Sequence, residues 1–159
     1  RQPLILIIIG LVLVGGGLYW VMDGSSSSNS PGASRFSSNQ MVDKITYPAS
    51  LFADGHARHF KYQDGDITVK FFILRSSDGV IRAAFDACDV CWPAGRGYYQ
   101  DGDYMVCRNC GRRFASVLVN EVKGGCNPAA LTRGISGAQV VIQIADILDG
   151  KPFFNNFCN

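Results

Sequence analysis

Hydrophobic and polar positions divide the chain into three segments. Residues 3–22 carry no charged side chain and consist mainly of Leu, Ile, Val and Gly, whereas residues 23–40 are rich in Ser, Gly and Asn. From residue 41 onward, short apolar runs alternate with turn sequences, which is typical of a folded domain. The pattern therefore predicts a membrane anchor at 1–22, a flexible linker at 23–40 and one domain at 41–159.

The first segment is long enough to cross a bilayer as a helix. Its 20 residues, rising about 1.5 Å each, would span about 30 Å, the thickness of the hydrocarbon core. A cleaved signal peptide is the alternative, but its apolar region is usually about 7–15 residues long. Arg1 precedes the segment and Asp23 follows it. The positive-inside rule then predicts a single-pass protein of the cytoplasmic membrane, which contacts lipid through this helix and exposes its domain on the periplasmic or extracellular side.

The pattern after residue 41 predicts β-hairpins. The apolar runs are rich in β-branched and aromatic residues and are separated by Gly-containing turns. Strands are predicted at residues 57–62, 67–74, 80–85, 98–99, 104–106 and 139–144, followed by a short helical turn at 145–148. No long amphipathic helix pattern appears after the anchor. We therefore expect a small, mostly β single domain that carries its cysteines on hairpin turns, with an α+β fold as the alternative.

Six cysteines, all in the second half of the chain, carry the candidate chemistry. Two C-x-x-C pairs, Cys88/Cys91 and Cys107/Cys110, have 15 residues between them, and 15 more separate Cys110 from Cys126. Two thiolates on one tight turn can face a single ion, and a second such turn completes a tetrahedron. Because this spacing is typical of four-cysteine metal sites, the sequence predicts a metal centre bound by the two pairs, with Cys126 as a further candidate ligand.

Several features leave the ligand set and the metal open. A four-ligand zinc site does not need Cys126, which therefore indicates a larger centre, a replaceable ligand or a disulfide with Cys158. Exported cysteines commonly form disulfides, so a disulfide-stapled domain is an alternative. His56, His59 and the soft sulfur of Met105 are further candidate ligands. Thiolates suit iron, copper and zinc, and we place iron or an iron–sulfur cluster first, copper second and zinc third.

Charge and motifs exclude other classes of function. The net charge is +2 and no Lys/Arg-rich run is present, which argues against nucleic-acid binding. The sequence has no G-x-S-x-G, no H-E-x-x-H and no glycine-rich phosphate loop, so a hydrolase or nucleotide enzyme has no support. We expect an electron-transfer or metal-handling protein rather than an enzyme. A structural subunit stapled by zinc or disulfides, and a thiol–disulfide oxidoreductase, are the alternatives.

Four short motifs together resemble the FtrD-like family, bacterial membrane proteins linked to iron–sulfur chemistry. They are AFDACDVC at 84–91, GYYQDGD at 97–103, CRNCGRRF at 107–114 and GGCNP at 124–128. The resemblance covers about half of the chain. It implies an exported domain that binds a metal or cluster through Cys88, Cys91, Cys107, Cys110 and Cys126. It also implies a role in iron uptake or membrane electron transfer, with a membrane complex or redox partner.

Overall fold

The computed structural model describes residues 43–155. The predicted anchor at 1–22, the predicted linker at 23–40 and Cys158 lie outside these residues, whereas the other five cysteines lie within them. In the range 43–155, no helix is long and apolar enough to span a membrane.

The described chain forms nine strands, one short α-helix and four short 3₁₀ helices. The strands are β1 (Lys44–Pro48), β2 (Arg58–Asp64), β3 (Ile67–Arg75), β4 (Ile81–Phe85), β5 (Tyr98–Asp101), β6 (Tyr104–Cys107), β7 (Arg113–Ala115), β8 (Gly134–Ser136) and β9 (Gln139–Gln143). The α-helix is α1 (Ile144–Leu148), and the 3₁₀ helices cover Ala49–Phe52, Trp92–Ala94, Ser116–Leu118 and Lys151–Phe153. The prediction of a small, mostly β domain is confirmed.

The strands form three antiparallel sheets of three strands each. β2, β3 and β4 form one meander, and β5, β6 and β7 form another, while β9 lies between β1 and β8 in the third sheet. The β2–β3 and β3–β4 turns contain Gly65 and Gly79, both at positive φ. Such left-handed positions favour glycine, which explains why these two hairpins can be predicted from the sequence.

Three observed strands were not predicted: β1, β7 and β8. β1 pairs with β9 along its whole length, from Lys44 opposite Gln143 to Pro48 opposite Gln139, so its partner lies at the far end of the domain sequence. β7 and β8 have three residues each, too few to show a period of two. These strands depend on tertiary pairing rather than on a local pattern.

β3 separates two apolar clusters. Phe71 and Ile73 face the first cluster, and Phe72 and Leu74 face the second, and all four side chains are fully buried. The first cluster also contains side chains of β9, and the second contains side chains of β5 and β6. The central sheet is therefore covered on both faces. Cys88 and Cys107 belong to the second cluster, so these candidate ligands are part of the hydrophobic core.

Arg82 on β4 is a buried charged residue whose two terminal guanidinium nitrogens are hydrogen-bonded. Its side chain is 6% exposed, and it donates hydrogen bonds to both carboxylate oxygens of Asp78, at 2.8 and 2.9 Å. The Ser76 hydroxyl also donates to Asp78, over 2.6 Å. The bonds from Arg82, and then from Ser76, hold the pKa of Asp78 well below its usual range. This network ties the β3–β4 turn to the central sheet.

Asp78→Asn is expected to lower the melting temperature at neutral pH. The difference in melting temperature between wild type and variant should shrink as the pH falls. Because the pKa of Asp78 is lowered on folding, its contribution is present above the unfolded-chain value of about 3.9 and is lost as the pH falls below it. Thermal unfolding followed from pH 7 to about pH 2 checks this convergence. Asp66→Asn, at an exposed position in the β2–β3 turn, is the control. A gap between wild type and Asp78→Asn that stays constant in acid would contradict the prediction.

Candidate metal centre

The first cysteine turn follows the end of β4. Cys88 is buried and Cys91 is half-buried. The Cys91 backbone N–H donates to the Cys88 sulfur over 3.2 Å, and the Trp92 N–H donates to the Cys88 carbonyl over 3.2 Å. An N–H directed at sulfur favours the thiolate, the form that binds metals. Because β4 and β5 belong to different sheets, this turn is not the hairpin turn that the sequence predicted.

The second cysteine turn joins β6 to β7, so these cysteines lie on a hairpin turn as predicted, although β7 itself was not predicted. Cys107 is buried and Cys110 is exposed. Gly111, at φ 72°, donates its N–H to the Cys107 carbonyl over 2.9 Å. Burial raises the pKa of the Cys107 thiol to about 11, although backbone N–H groups of Cys110 and Asn109 oppose this shift. The Arg112 backbone N–H lowers the pKa of Cys110, so the exposed thiol ionises more readily than the buried one.

A glycine-rich loop supplies the third cysteine turn. Gly124 and Gly125 have φ values of 88° and 62°, and the Asn127 N–H donates to the Gly124 carbonyl over 3.3 Å, so Cys126 lies within a tight turn. The hydroxyl of Tyr98 donates a hydrogen bond to the Cys126 carbonyl over 2.7 Å. Burial raises the pKa of Tyr98 far above its usual range, and the neighbouring Cys88 thiol adds to this shift. The hydroxyl therefore stays protonated and remains a hydrogen-bond donor. A residue of β5 thus positions the third turn beside the first.

The three turns bring five sulfurs to one place. The sulfurs of Cys88, Cys91 and Cys126 lie within 4.8 Å of one another, and so do those of Cys91, Cys107 and Cys110. The Cys91 sulfur lies 3.9 Å from that of Cys126. Thiolates bound at about 2.3 Å to one tetrahedral ion are about 3.8 Å apart, so this spacing suits a shared ion. All five of these cysteines are free thiols.

The comparison with protein families agrees with this geometry. A family model described as "membrane iron-sulfur containing protein FtrD-like" matches residues 52–154. This chain belongs to the FtrD-like family. The matched range contains all five clustered cysteines. No curated protein and no solved structure gives a match. Family membership therefore supports a membrane-associated protein with iron-related metal binding, as the sequence resemblance indicated.

The donor set of the FtrD-like domain fits iron. Cysteine thiolates are the usual protein ligands of iron–sulfur centres, and they also suit copper and zinc. Cys88 and Cys107 are 1% and 2% exposed. An ionised thiolate at such a depth is costly unless a positive charge compensates it. A bound cation would supply that charge, so the buried sulfurs fit a metal ligand role.

The two histidines that the sequence offered as ligands lie outside the two sulfur sets of this FtrD-like domain, whereas Met105 shares an apolar cluster with Cys88 and Cys107. Met105 is fully buried in the second apolar cluster. His56 is exposed, and its backbone N–H donates to the Asp54 carboxylate over 3.0 Å. The ring of His59 packs against Phe72, with centroids 5.6 Å apart. Among residues 43–155, the groups of mutually close ligand atoms consist of cysteines, and neither histidine belongs to them.

Asp86 supports the centre, although we did not identify it as a site residue from the sequence. Its carboxylate accepts the Tyr98 backbone N–H over 2.6 Å, and the His59 Nε2 lies 3.9 Å away. Burial raises the pKa of Asp86, although the Tyr98 N–H opposes this shift. Gly97 lies so close that a Cβ there would come within 2.4 Å of both carboxylate oxygens. This contact joins the AFDAC motif to the GYY motif. The presence of both motifs in the sequence was the signal from which a role for Asp86 could have been predicted.

Gly97→Ala is expected to destabilise the FtrD-like domain more than Gly102→Ala. Both glycines have left-handed φ values, 66° and 56°, so alanine costs about 1–2 kcal/mol at either position. At Gly97 the overlap with Asp86 adds roughly 1–3 kcal/mol, whereas a Cβ at Gly102 meets no atom within 4 Å. Urea unfolding of both variants measures the difference. Equal losses would show that the Asp86 contact does not constrain Gly97.

Proposed function

We propose that this FtrD-like chain is a membrane-anchored, extracytoplasmic protein that binds iron through its cysteine centre and works in electron transfer or metal handling beside a membrane complex. The observation that carries the proposal is the convergence of five free thiols from three separate turns, in two overlapping sets of three whose sulfurs lie within 4.8 Å of one another. The family description supports iron as the first candidate, ahead of copper and zinc. A role in iron uptake is consistent with this chemistry.

Some of the sulfurs are buried among apolar side chains, whereas others are accessible to solvent. Cys88 and Cys107 lie in the second apolar cluster, together with Phe72 and Met105, which excludes water from their side. A bound iron centre would supply reversible one-electron chemistry, whose potential depends on such burial and on N–H···S bonds. The Cys91 N–H, directed at the Cys88 sulfur, is one of these bonds. The domain itself therefore supplies groups that tune a redox centre.

A partner would reach the centre through its exposed residues. Cys110 is exposed, and Val90, between the two cysteines of the first turn, is 60% exposed. Electrons or metal ions would enter and leave on this side, because the other sulfurs are at least partly buried. The proposed anchor and linker would raise the effective concentration of this side near a membrane-bound partner. This arrangement favours a relay role over a purely structural one.

Anaerobic purification of the full chain, with elemental analysis and an optical spectrum, tests the proposal. We expect iron, together with thiolate-to-metal charge-transfer bands in the visible range. Cys107→Ser is expected to lose much of the iron and of the absorption. Cys158→Ser is the control, because this cysteine lies outside the range matched by the family, and it is expected to retain both.

The same measurements separate the alternatives. Tightly bound zinc with a featureless visible spectrum would overturn the redox proposal in favour of a structural subunit. Metal-free protein that exchanges disulfides with a thiol substrate would overturn it in favour of an oxidoreductase. Loss of iron in Cys158→Ser as well would indicate that this cysteine takes part in the centre, contrary to the ligand set proposed.

A further inference from the structure

We infer that the outer face of the sheet formed by β5, β6 and β7 is the docking surface for a protein partner whose own contact surface is acidic. We call it the Tyr–Arg face, and it consists of Tyr99, Tyr104, Arg108 and Arg113. This inference rests on the proposed function, because a metal centre that exchanges electrons or metal ions requires a partner. It goes further by assigning the surface that the partner contacts and the charge that the partner carries.

The two faces of this sheet differ in what covers them. Tyr98 and Cys107, which lie opposite each other on β5 and β6, belong to the second apolar cluster. Because successive side chains of a strand alternate between its two faces, Tyr99 and Tyr104 lie on the outer face. Their side chains are 39% and 43% exposed. Two large aromatic side chains therefore reach solvent on the same two strands that position Tyr98 and Cys107.

An arginine lies over each of these rings. The guanidinium carbon of Arg108 is 5.0 Å from the Tyr99 ring centroid, and that of Arg113 is 4.7 Å from the Tyr104 ring centroid. The Nε–H of Arg108 also donates a hydrogen bond to the Tyr98 carbonyl over 3.2 Å. Such contacts fix the guanidinium groups in advance, so less side-chain entropy is lost when a partner binds. Tyr and Arg are also among the residue types that contribute most to binding energy at protein interfaces.

The charge around the face favours an acidic partner. Arg96, Arg108 and Arg112 are exposed, and within residues 43–155 none of the three forms an ion pair with a carboxylate. Asp89, an exposed carboxylate of the first cysteine turn, shares a cavity with Lys123, so it does not cancel the three arginines. Carboxylates on a partner would supply the counter-charges, and this complementarity both accelerates association and selects the partner.

The Tyr–Arg face is continuous with the exposed part of the metal centre. Arg108 directly follows Cys107 in the chain, and Arg112 lies two residues after the exposed Cys110. Arg96 lines the same cavity as the two cysteines of the first turn. A partner docked on this face would therefore lie beside the exposed thiol of the centre.

An anionic membrane is the competing occupant of such a surface. Segments that bind anionic lipids typically carry a cluster of about 4–8 Lys or Arg residues. Here Arg113 is paired with Asp101, and the arginines are stacked on tyrosines. Tyr and Arg are enriched at interfaces between proteins. Weak electron-transfer complexes bury less than about 1,200 Å² in total, so the face of a small sheet is sufficient. The composition therefore favours a protein.

Binding of an acidic peptide tests the inference without any assay of activity. The full chain, purified anaerobically and held in nanodiscs of phosphatidylcholine, is titrated into fluorescein-labelled poly-L-glutamate, and the anisotropy is measured at low and at physiological salt. We expect binding that weakens as the salt concentration rises. Arg108→Gln and Arg112→Gln should each weaken binding by about two- to fivefold and reduce its salt dependence. Tyr99→Ala should weaken binding without changing the salt dependence, because it removes no charge.

Lys44→Gln is the control, because it also removes one positive charge from an exposed position. Lys44 lies on β1, which belongs to a different sheet, so the variant should bind the peptide as wild type does. The iron content and visible spectrum of each variant show whether its centre is intact. Arg112 is exposed, so Arg112→Gln is informative even if Arg108→Gln disturbs the second cysteine turn.

The outcomes distinguish this inference from the proposed function. Equal weakening in Lys44→Gln would show that the peptide responds to the net charge of the chain, and it would overturn the docking surface. Displacement of the peptide by phosphatidylglycerol vesicles, but not by phosphatidylcholine vesicles, would assign the face to an anionic membrane instead. Iron-containing wild type that does not bind the peptide would overturn the docking surface and leave the proposed function intact. A chain that purifies without any metal would overturn the proposed function, whatever its affinity for the peptide.

Discussion

Removing the metal from the full chain with a chelator is expected to lower its melting temperature by roughly 10–25 °C. Ligand binding at about 1,000 times its dissociation constant stabilises a protein by about 4 kcal/mol, and for a domain of this size each kcal/mol is worth several degrees. The expectation follows because three turns distant in sequence share the centre, so that metal binding and folding are coupled. Circular dichroism melts before and after anaerobic chelation, and after addition of iron, measure the effect.

The Cys91→Ser variant is the control for this experiment. Because Cys91 belongs to both sulfur sets, the variant should melt at nearly the same temperature with and without chelator. If wild type melts unchanged after elemental analysis shows that the metal has gone, hydrogen bonds such as that from Tyr98 to the Cys126 carbonyl would suffice to fix the turns. That result would contradict the coupling proposed here.

Phe72→Ala is expected to lower both the free energy of unfolding and the affinity for metal. Phe72 is fully buried in the cluster that contains Cys88 and Cys107, and its ring lies 6.2 Å from that of Tyr98. Truncating a buried phenylalanine costs about 3–5 kcal/mol. The resulting cavity lies beneath the sulfurs, so the positions of the cysteine turns should relax as well. Urea unfolding of the metal-free protein gives the first quantity, and competition with a chelator gives the second.

Phe71→Ala separates the local effect on the site from general destabilisation. Phe71 is the preceding residue on β3 and is also fully buried, but its side chain faces the opposite cluster. We expect a similar loss of stability, about 3–5 kcal/mol, with little change in metal affinity while the domain remains folded. If both variants lost affinity equally, the second cluster would have no special role in positioning the sulfurs.

Features that depend on neighbouring residues could be predicted from the sequence. The β2–β3 and β3–β4 hairpins were predicted because alternating apolar runs flank turns that contain Gly65 and Gly79. The two C-x-x-C pairs were identified because the spacing of ligands on one turn is itself a local property. Hydrogen bonds such as that from the Cys91 N–H to the Cys88 sulfur are local as well, because the two residues are only three positions apart on one turn.

Features that join distant segments were decided by the tertiary structure. The pairing of β1 with β9 was not predicted, because no local signal specifies a partner at the other end of the domain. The first cysteine turn was predicted to be a hairpin turn, but the strands on either side of it belong to different sheets. The contact between Asp86 and Gly97 likewise arises only when β4 and β5 come together.

By itself, the sequence determined that this chain has a mostly β domain with cysteine turns of metal-binding type. It left open whether Cys126 joins the two pairs, whether the histidines do, and which cysteine lies at the centre. The tertiary structure placed Cys126 beside the first pair, left His56 and His59 outside both sulfur sets and put Cys91 in both. The physical reason is that distances between sulfurs on different turns are set by the packing of the sheets on which those turns are mounted, and spacing along the chain does not encode that packing.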